Sequence, residues 1–275
     1  MSVLGEDVRR CGSEVCGLTA VRRVAAMLDL DPSAFREGQP LPRGWQFIVL
    51  GGEARRSALR PDGFPGLGLP LPDLGLPRVV LGGRIVNYND DIPIGAAVHR
   101  LSCLRSVERK KTTAGPAAIV TIEHELRIAS ALPPSVVEAQ TYVLLSDQRA
   151  EERAVPAKRI QAEHRKIVVP DATLLFQYSV LGFNSHKIDI DRDYARDVEG
   201  LPDLVVNGGL TTLLMTEFLR SELRHVPTRI KTRHVAPLYC GRPITLVANR
   251  DGGGWWLSAF DDTGRIATEM EVHVQ

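Results

Sequence analysis

The sequence has few aromatic side chains, no excess of either charge and no long hydrophobic run. Aromatic residues make up 5% of its 275 residues, and 34 Lys and Arg nearly balance 33 Asp and Glu, giving a formal net charge of +1. A base-stacking platform and a basic surface are both absent, so no nucleic-acid partner is expected. No apolar run approaches the roughly 18–20 residues of a membrane span, so no membrane partner is expected either.

Cysteine is also scarce. The four cysteines form neither a C-x-x-C pair nor a cluster with histidine, so we expect no metal site. The amino-terminal segment MSVLGEDVRRCGSE lacks the apolar core of a secretory signal, which predicts a cytoplasmic protein with reduced thiols. The sequence contains no P-loop, dinucleotide fingerprint or G-x-S-x-G elbow, and no bound cofactor is expected.

The order of the predicted elements describes two similar halves. In the first half, residues 1–147, a helix is predicted by the three-and-four spacing of Leu18, Val21, Ala25 and Leu28. A Gly/Pro-rich stretch follows, and such a long loop inside a compact domain often contributes to a binding wall.

Strands are predicted throughout the rest of the first half. Within the Gly/Pro-rich stretch, the apolar run Trp45–Leu50 predicts a short strand. Turn residues separate three further predicted strands, which cover about 97–110, 117–130 and 136–146. In the middle one, Val120, Ile122 and His124 alternate with polar residues, which predicts one dry and one wet face.

The second half, residues 171–275, follows a strongly charged segment at 148–170 that is predicted to be a solvated linker. A mostly buried helix is predicted at about Gly209–Leu223. Glycine and aspartate turns bound four predicted strands, at about 228–238, 243–249, 255–261 and 265–274. A central apolar helix followed by an antiparallel meander is the hotdog arrangement. One such unit and a degenerate first copy predict an α+β double hotdog, and this duplication rests on the order of the elements together with the family resemblance of the segments that follow.

The segment Tyr178–Ala195, YSVLGFNSHKIDIDRDYA, carries a catalytic pattern with altered catalytic residues. It resembles the active-site pattern F-A-x-L-S-G-D-x-N-P-I-H-x-D of MaoC-like (R)-specific enoyl-CoA hydratases. It is also similar to F-R-Y-S-A-L-T-F-N-x-H-R-I-H-Y-D, the pattern of the double-length branch typified by itaconyl- and mesaconyl-CoA hydratases. Asn184 and His186 agree with that branch, whereas Asp189 stands where both patterns have the catalytic histidine.

A second segment, Glu199–Leu210, resembles the branch's E-G-Y-P-G-L-V-V-H-G-P-L. Here Asn207 and Gly209 replace the family's His and Pro. The resemblance implies a coenzyme A or acyl-carrier thioester as the substrate, with coenzyme A present only as part of it, and it leaves a homodimer open. At the start of the buried helix, Asn207, Gly208 and Gly209 are the expected substrate-binding residues, because aligned N–H groups there stabilise charge on the thioester carbonyl oxygen.

The candidate catalytic residues are Asn184, His186 and Asp189. Asn184 cannot titrate, and an aspartate with an unperturbed pKa of about 3.9 is a poor proton donor at neutral pH. These changes favour hydrolysis of an acyl-CoA thioester by a positioned water. Two alternatives stay open: an enoyl-CoA hydratase or 3-hydroxyacyl-thioester dehydratase in which His186 and Asp189 exchange roles, and a non-catalytic hotdog that binds acyl thioesters. His186 and Asp189 also have structural interpretations, with His186 bracing its loop and Asp189 capping a helix or pairing with Lys187 or Arg192.

Overall fold

The computed structural model describes residues 8–71, 73–112, 115–129, 132–146 and 162–275. Its main element is one ten-stranded sheet in which every pair of neighbours is antiparallel. The strands are β1 (Arg9–Val15), β2 (Arg78–Tyr88), β3 (Ala97–Thr112), β4 (Gly115–Arg127), β5 (Val136–Leu145), β6 (His164–Val168), β7 (Pro227–His234), β8 (Ile244–Asp251), β9 (Gly254–Phe260) and β10 (Ile266–Val274). The α-helices are α1 (Leu18–Met27), α2 (Ala172–Leu181), α3 (Lys187–Ile190) and α4 (Gly208–Ser221). In these described ranges, no helix has the length and hydrophobicity needed to cross a membrane.

The strand order repeats between the two halves of the chain. The sheet runs β1-β3-β4-β5-β2-β7-β10-β9-β8-β6. We number the strands of each half in chain order. From the outer edge of the sheet to its centre, both halves then have the order first, third, fourth, fifth, second. The halves join where β2 pairs with β7, from Gly83 opposite Arg233 to Asn87 opposite Arg229. The predicted double hotdog is confirmed, with the two halves in one continuous sheet.

Helix α4 is the central helix of the second half. All residues from Gly209 to Leu219 are buried, as the apolar composition of the predicted helix requires. Burial of a large apolar side chain such as Leu213 contributes roughly 1.5–3 kcal/mol. The side chain of Asn207 caps the first turn by accepting the N–H of Gly209 at 2.7 Å. This cap fixes the backbone at the helix start.

The strand predicted at Trp45–Leu50 is wrong, because Gln46–Val49 form a 3-10 helix. All four residues are buried, so the run has no wet face that could alternate with a dry one. Polar contacts hold the turn in place of strand pairing. The Trp45 indole donates to Glu217 Oε1 at 2.7 Å, and the Gln46 amide donates to Glu138 Oε2 at 2.8 Å.

Part of the charged segment predicted as a linker forms a strand. Residues 148–161 lie outside the described part of the chain, and residues 164–168 form β6, which pairs with β8 at the edge of the sheet. A charged sequence suits an edge strand, because charged side chains discourage a further strand from pairing with its open edge. The predicted helix α1 and the strands of both meanders are confirmed within a few residues of their predicted ends, although β7 ends at His234 instead of near Leu238.

Gly83 allows the two halves to approach each other at the β2–β7 junction. A Cβ atom at this position would overlap the backbone carbonyl oxygen of Thr232 on β7. We expect Gly83→Ala to lower the free energy of unfolding by about 1–3 kcal/mol, the usual cost of overpacking. Gly12→Ala on β1 is the matched control, because its Cβ would lie 3.5 Å from the nearest atom, the Arg100 Nη2. Denaturant unfolding measures both variants, and equal stabilities would contradict this account of the junction.

Candidate active site

One cavity of about 540 Å³ brings the predicted site residues together. Asn184, His186, Asp189, Asn207 and Gly208 all line it. The first half of the chain supplies the opposite wall, so the cavity lies between the two halves. Polar residues that line it and were not among the predicted site residues include Asp62, Arg84, Arg100, Ser102, His124, Gln140, Tyr142, Tyr178 and His234.

Asn184 shapes the loop that leads into α3. Its Oδ1 accepts the backbone N–H of His186 at 3.1 Å. The loop is anchored to the first half, because the N–H of Lys187 donates to the carbonyl of Asp62 at 2.8 Å and the Ser185 hydroxyl donates to the carbonyl of Gly63 at 2.7 Å. With Oδ1 engaged, the amide Nδ2 is the part of Asn184 that can bind a ligand in the cavity.

His186 is a neutral, braced histidine. Its Nε2 lies 3.7 Å from Asp62 Oδ2, and its ring packs against Phe64 with centroids 5.3 Å apart. Burial lowers the pKa of His186 to about 4, and the nearby Asp62 opposes that shift only in part. At neutral pH the imidazole therefore carries no charge and acts as a hydrogen-bonding group.

Asp189 is the titratable group of the site. The residue is 2% exposed, and its Oδ2 accepts a hydrogen bond from Asn207 Nδ2 at 3.0 Å. Burial raises the pKa of Asp189 to about 7, and the Asn207 hydrogen bond opposes that rise. The expectation of an ordinary aspartate pKa is wrong at this position because the carboxyl group is removed from water. Asp189 titrates in the range that an unperturbed histidine would cover.

Asn207 connects the carboxyl group to the start of α4. Its Nδ2 binds Asp189 and its Oδ1 binds the Gly209 N–H, so both ends of the amide are engaged. Gly209 does not line the cavity, and a Cβ there would overlap the Tyr178 hydroxyl. The substrate contact predicted for Gly209 is therefore corrected to a packing and capping role. Gly208 does line the cavity and stays the predicted amide donor.

The first half contributes a buried polar network that the sequence motifs did not predict. Arg84 Nη1 lies 3.1 Å from Oε1 of the fully buried Glu138, and Gln140 Nε2 donates to the same oxygen at 2.8 Å. His124 Nδ1 lies 2.8 Å from the Ser102 hydroxyl. A signal was present for His124, since it is the one polar residue on the predicted dry face of β4.

His234 is a second histidine of the site that was not predicted. It ends β7 and follows the period-two alternation of Ile230 and Thr232. Its Nδ1 lies 3.1 Å from the Thr268 hydroxyl. Burial, together with the positive charge of Arg84, lowers the pKa of His234 to about 3, so the ring is neutral.

Comparisons with known proteins identify the family. The model of the family described as hydroxyacyl-thioester dehydratase type 2 matches residues 44–240. The chain belongs to this family. A mesaconyl-C(4)-CoA hydratase of Chloroflexus aurantiacus is 30% identical over 264 residues, which cover 95% of this chain and 93% of that one. The MaoC-like resemblance read from the sequence is thereby confirmed.

Two solved structures support the fold of this family member. A MaoC-like dehydratase from Phytophthora capsici aligns with a TM-score of 0.72 at 13% identity, covering 98% of this chain and 95% of that one. A Mycobacterium tuberculosis protein described as a double hotdog aligns with a TM-score of 0.62 at 12% identity, covering 98% and 96% of the two chains. At such identities the likeness concerns the fold alone.

In this hydroxyacyl-thioester dehydratase family member, the buried Asp189 should make stability depend on pH. Its pKa rises from 3.8 to about 7 on folding, so the folded state binds the extra proton between these values. The contribution of Asp189 to the free energy of unfolding should therefore fall as pH rises from about 4 to 7, while the lowered pKa values of His186 and His234 contribute in the opposite direction. At roughly 1.4 kcal/mol per pKa unit, the loss is at most about 4 kcal/mol.

Asp189→Asn removes the titrating group and keeps an acceptor for Asn207. The free energy of unfolding of the wild type, measured relative to that of this variant by urea unfolding at each pH, should fall as pH rises from 5 to 7. The matched control is Asp197→Asn, which changes an exposed carboxylate. An Asp189→Asn protein with the same pH dependence as the wild type would contradict the raised pKa.

Proposed function

We propose that this protein hydrates an α,β-unsaturated acyl-CoA thioester to the 3-hydroxyacyl thioester, and catalyses the reverse dehydration. The observation that carries the proposal is Asp189, a cavity-lining carboxyl group with a pKa near 7. A general acid–base works best when its pKa lies near the working pH. The name of the Chloroflexus relative, a hydratase of an acyl-CoA, supports the same reaction class.

Asp189 carries the proton in this mechanism. In hydration, its carboxylate takes a proton from a water molecule while the water oxygen bonds to the β-carbon of the substrate. The electron pair of the carbon–carbon double bond moves toward the carbonyl group, and the α-carbon then receives the proton from Asp189. Dehydration is the reverse sequence. One carboxyl group thus supplies both the base and the acid.

Asn184 and His186 have supporting roles in the proposed reaction. Both line the cavity on the segment that carries Asp189. The amide Nδ2 of Asn184 and the neutral ring of His186 hold the water that Asp189 deprotonates. The two residues therefore do not exchange acid–base roles, and Asp189 alone transfers the proton. The low pKa of His186 suits its ring to hydrogen bonding and not to proton transfer near pH 7.

The start of α4 stabilises the charge that forms on the substrate. When the double bond accepts water, the thioester carbonyl oxygen becomes an enolate oxygen. The helix dipole and the N–H of Gly208 stabilise this negative charge at the amino terminus of the 14-residue helix. The Gly209 N–H is committed to the Asn207 cap, so Gly208 is the donor we assign to the substrate.

Hydrolysis of the thioester is the second candidate function. It was the first choice from the sequence because an aspartate with an ordinary pKa is a weak acid–base at neutral pH. The raised pKa of Asp189 removes that reason, and the hydratase name of the Chloroflexus relative favours the alternative. A non-catalytic binding role is weaker still, since burying a carboxyl group without a use for it costs free energy.

A panel of saturated and α,β-unsaturated acyl-CoA thioesters separates these functions. We expect loss of the absorbance of the conjugated thioester without release of free thiol. Absorbance and thiol release are followed separately on the same samples. Thiol release from saturated substrates, with no loss of conjugation, would overturn hydration in favour of hydrolysis.

Substitutions at Asp189 test its role as the acid–base. Asp189→Asn should lower kcat for hydration by about 10²–10⁴-fold, the usual cost of losing a general base. Asp189→His should retain more activity than Asp189→Asn, because an unperturbed imidazole titrates near pH 6.5. In the wild type, kcat/KM for hydration should rise with pH through about 7, where Asp189 ionises. The exposed control Asp197→Asn should match the wild type, and full activity in Asp189→Asn would remove this residue from the mechanism.

A further inference from the structure

His234 packs directly against the start of α4. A Cβ atom placed on Gly208 would lie 3.2 Å from both Cδ2 and Nε2 of the His234 ring. The imidazole edge that bears Nε2 therefore lies beside the backbone of Gly208. Both residues line the same cavity as Asp189.

The Nε2 atom of His234 is buried and lacks a hydrogen-bond partner in the part of the chain that the structure describes. A buried polar atom without a partner costs about 1–3 kcal/mol, so such atoms are rare unless a ligand completes them. The other ring nitrogen is satisfied, because Nδ1 lies 3.1 Å from the hydroxyl of the buried Thr268. The ring is thus held through Nδ1, while Nε2 lies beside Gly208, covered by protein atoms but without a hydrogen-bond partner among the described residues.

The charge state of His234 follows from its surroundings. Burial and the guanidinium of Arg84 both disfavour a second proton, and they lower the pKa of His234 to about 3. A neutral imidazole carries one N–H. If the Thr268 hydroxyl donates to Nδ1, that proton lies on Nε2, beside Gly208. Enzymes use neutral imidazoles of lowered pKa in this way to polarise carbonyl groups.

We propose that His234 is a catalytic residue that donates its Nε2–H to the carbonyl oxygen of the acyl thioester, beside the N–H of Gly208. Thr268 is its positioning residue, because its hydroxyl lies at hydrogen-bond distance from Nδ1 and, by donating there, leaves the ring proton on Nε2. The inference rests on the proposed function in one respect, that the substrate is an acyl thioester. It adds a side-chain donor to a site that would otherwise depend on backbone N–H groups alone.

This assignment divides the chemistry between two sides of the substrate. Asp189 moves the proton between water and the α-carbon, and His234 with Gly208 holds the oxygen on which negative charge forms. The His234 hydrogen bond strengthens as the carbonyl becomes an enolate, so it lowers the barrier more than it improves binding. Loss of one such donor costs about 10²–10³-fold in kcat in other enzymes.

The test compares His234→Phe, which keeps the ring shape and removes both nitrogens, with His234→Gln, whose terminal amide can replace the Nε2–H. We expect His234→Phe to lower kcat for hydration by about 10²–10³-fold with little change in KM, and His234→Gln to recover part of that loss. Thr268→Val should give a smaller loss. His273→Phe, which alters an exposed histidine on β10, is the matched control and should retain wild-type kinetics.

A readout independent of turnover is the absorbance of a bound cinnamoyl-CoA thioester, which shifts to longer wavelength when its carbonyl is polarised. The shift should persist in Asp189→Asn and should shrink in His234→Phe and, less strongly, in Thr268→Val. If no enoyl-CoA is hydrated but the shift still depends on His234, the carbonyl site stands and the hydratase proposal fails. A wild-type shift in His234→Phe, or equal kinetic losses in the Phe and Gln variants, would overturn the assignment of His234.

Discussion

The removal of the Asp189 carboxyl group from water is the constraint on which the proposed chemistry depends. In water an aspartate is ionised throughout the neutral range and transfers protons poorly there. In the cavity wall the charged form loses its hydration, and the pKa of Asp189 rises to about 7. The aspartate that stands in place of the motif's histidine thereby acquires the titration range of an unperturbed histidine.

Asn207 lowers the free-energy cost of burying the Asp189 carboxyl group. Its amide donates to Asp189 and accepts from Gly209, so a single side chain satisfies both the buried carboxyl group and the first turn of α4. A buried carboxyl group without any donor would be costlier to keep. The same contact aligns the Asp189 carboxyl group with the helix start, because the two are joined through one planar amide. Stability and the geometry of the site are therefore coupled at Asn207.

The double hotdog was predictable from the order of the predicted elements together with the family resemblance, and the repeated strand order bears this out. The gathering of Asn184 and Asp189 near the start of α4 followed from motif order. The pKa of Asp189 and the inward position of His234 were not predictable, since both depend on contacts between elements distant in sequence. The strand prediction at Trp45–Leu50 was wrong for a related reason. A run that is buried on all sides shows no alternation of polar and apolar residues that would distinguish a strand from a helical turn.

The pKa of Asp189 itself is the most direct test of this account. Carbon-13 NMR of protein labelled at the aspartate carboxyl carbon can follow the titration, and the Asp189 resonance is assigned as the one missing from Asp189→Asn. The account predicts a midpoint near pH 7 for this resonance. A midpoint near the ordinary aspartate value of about 3.9 would contradict the central claim that burial converts Asp189 into the acid–base of the site.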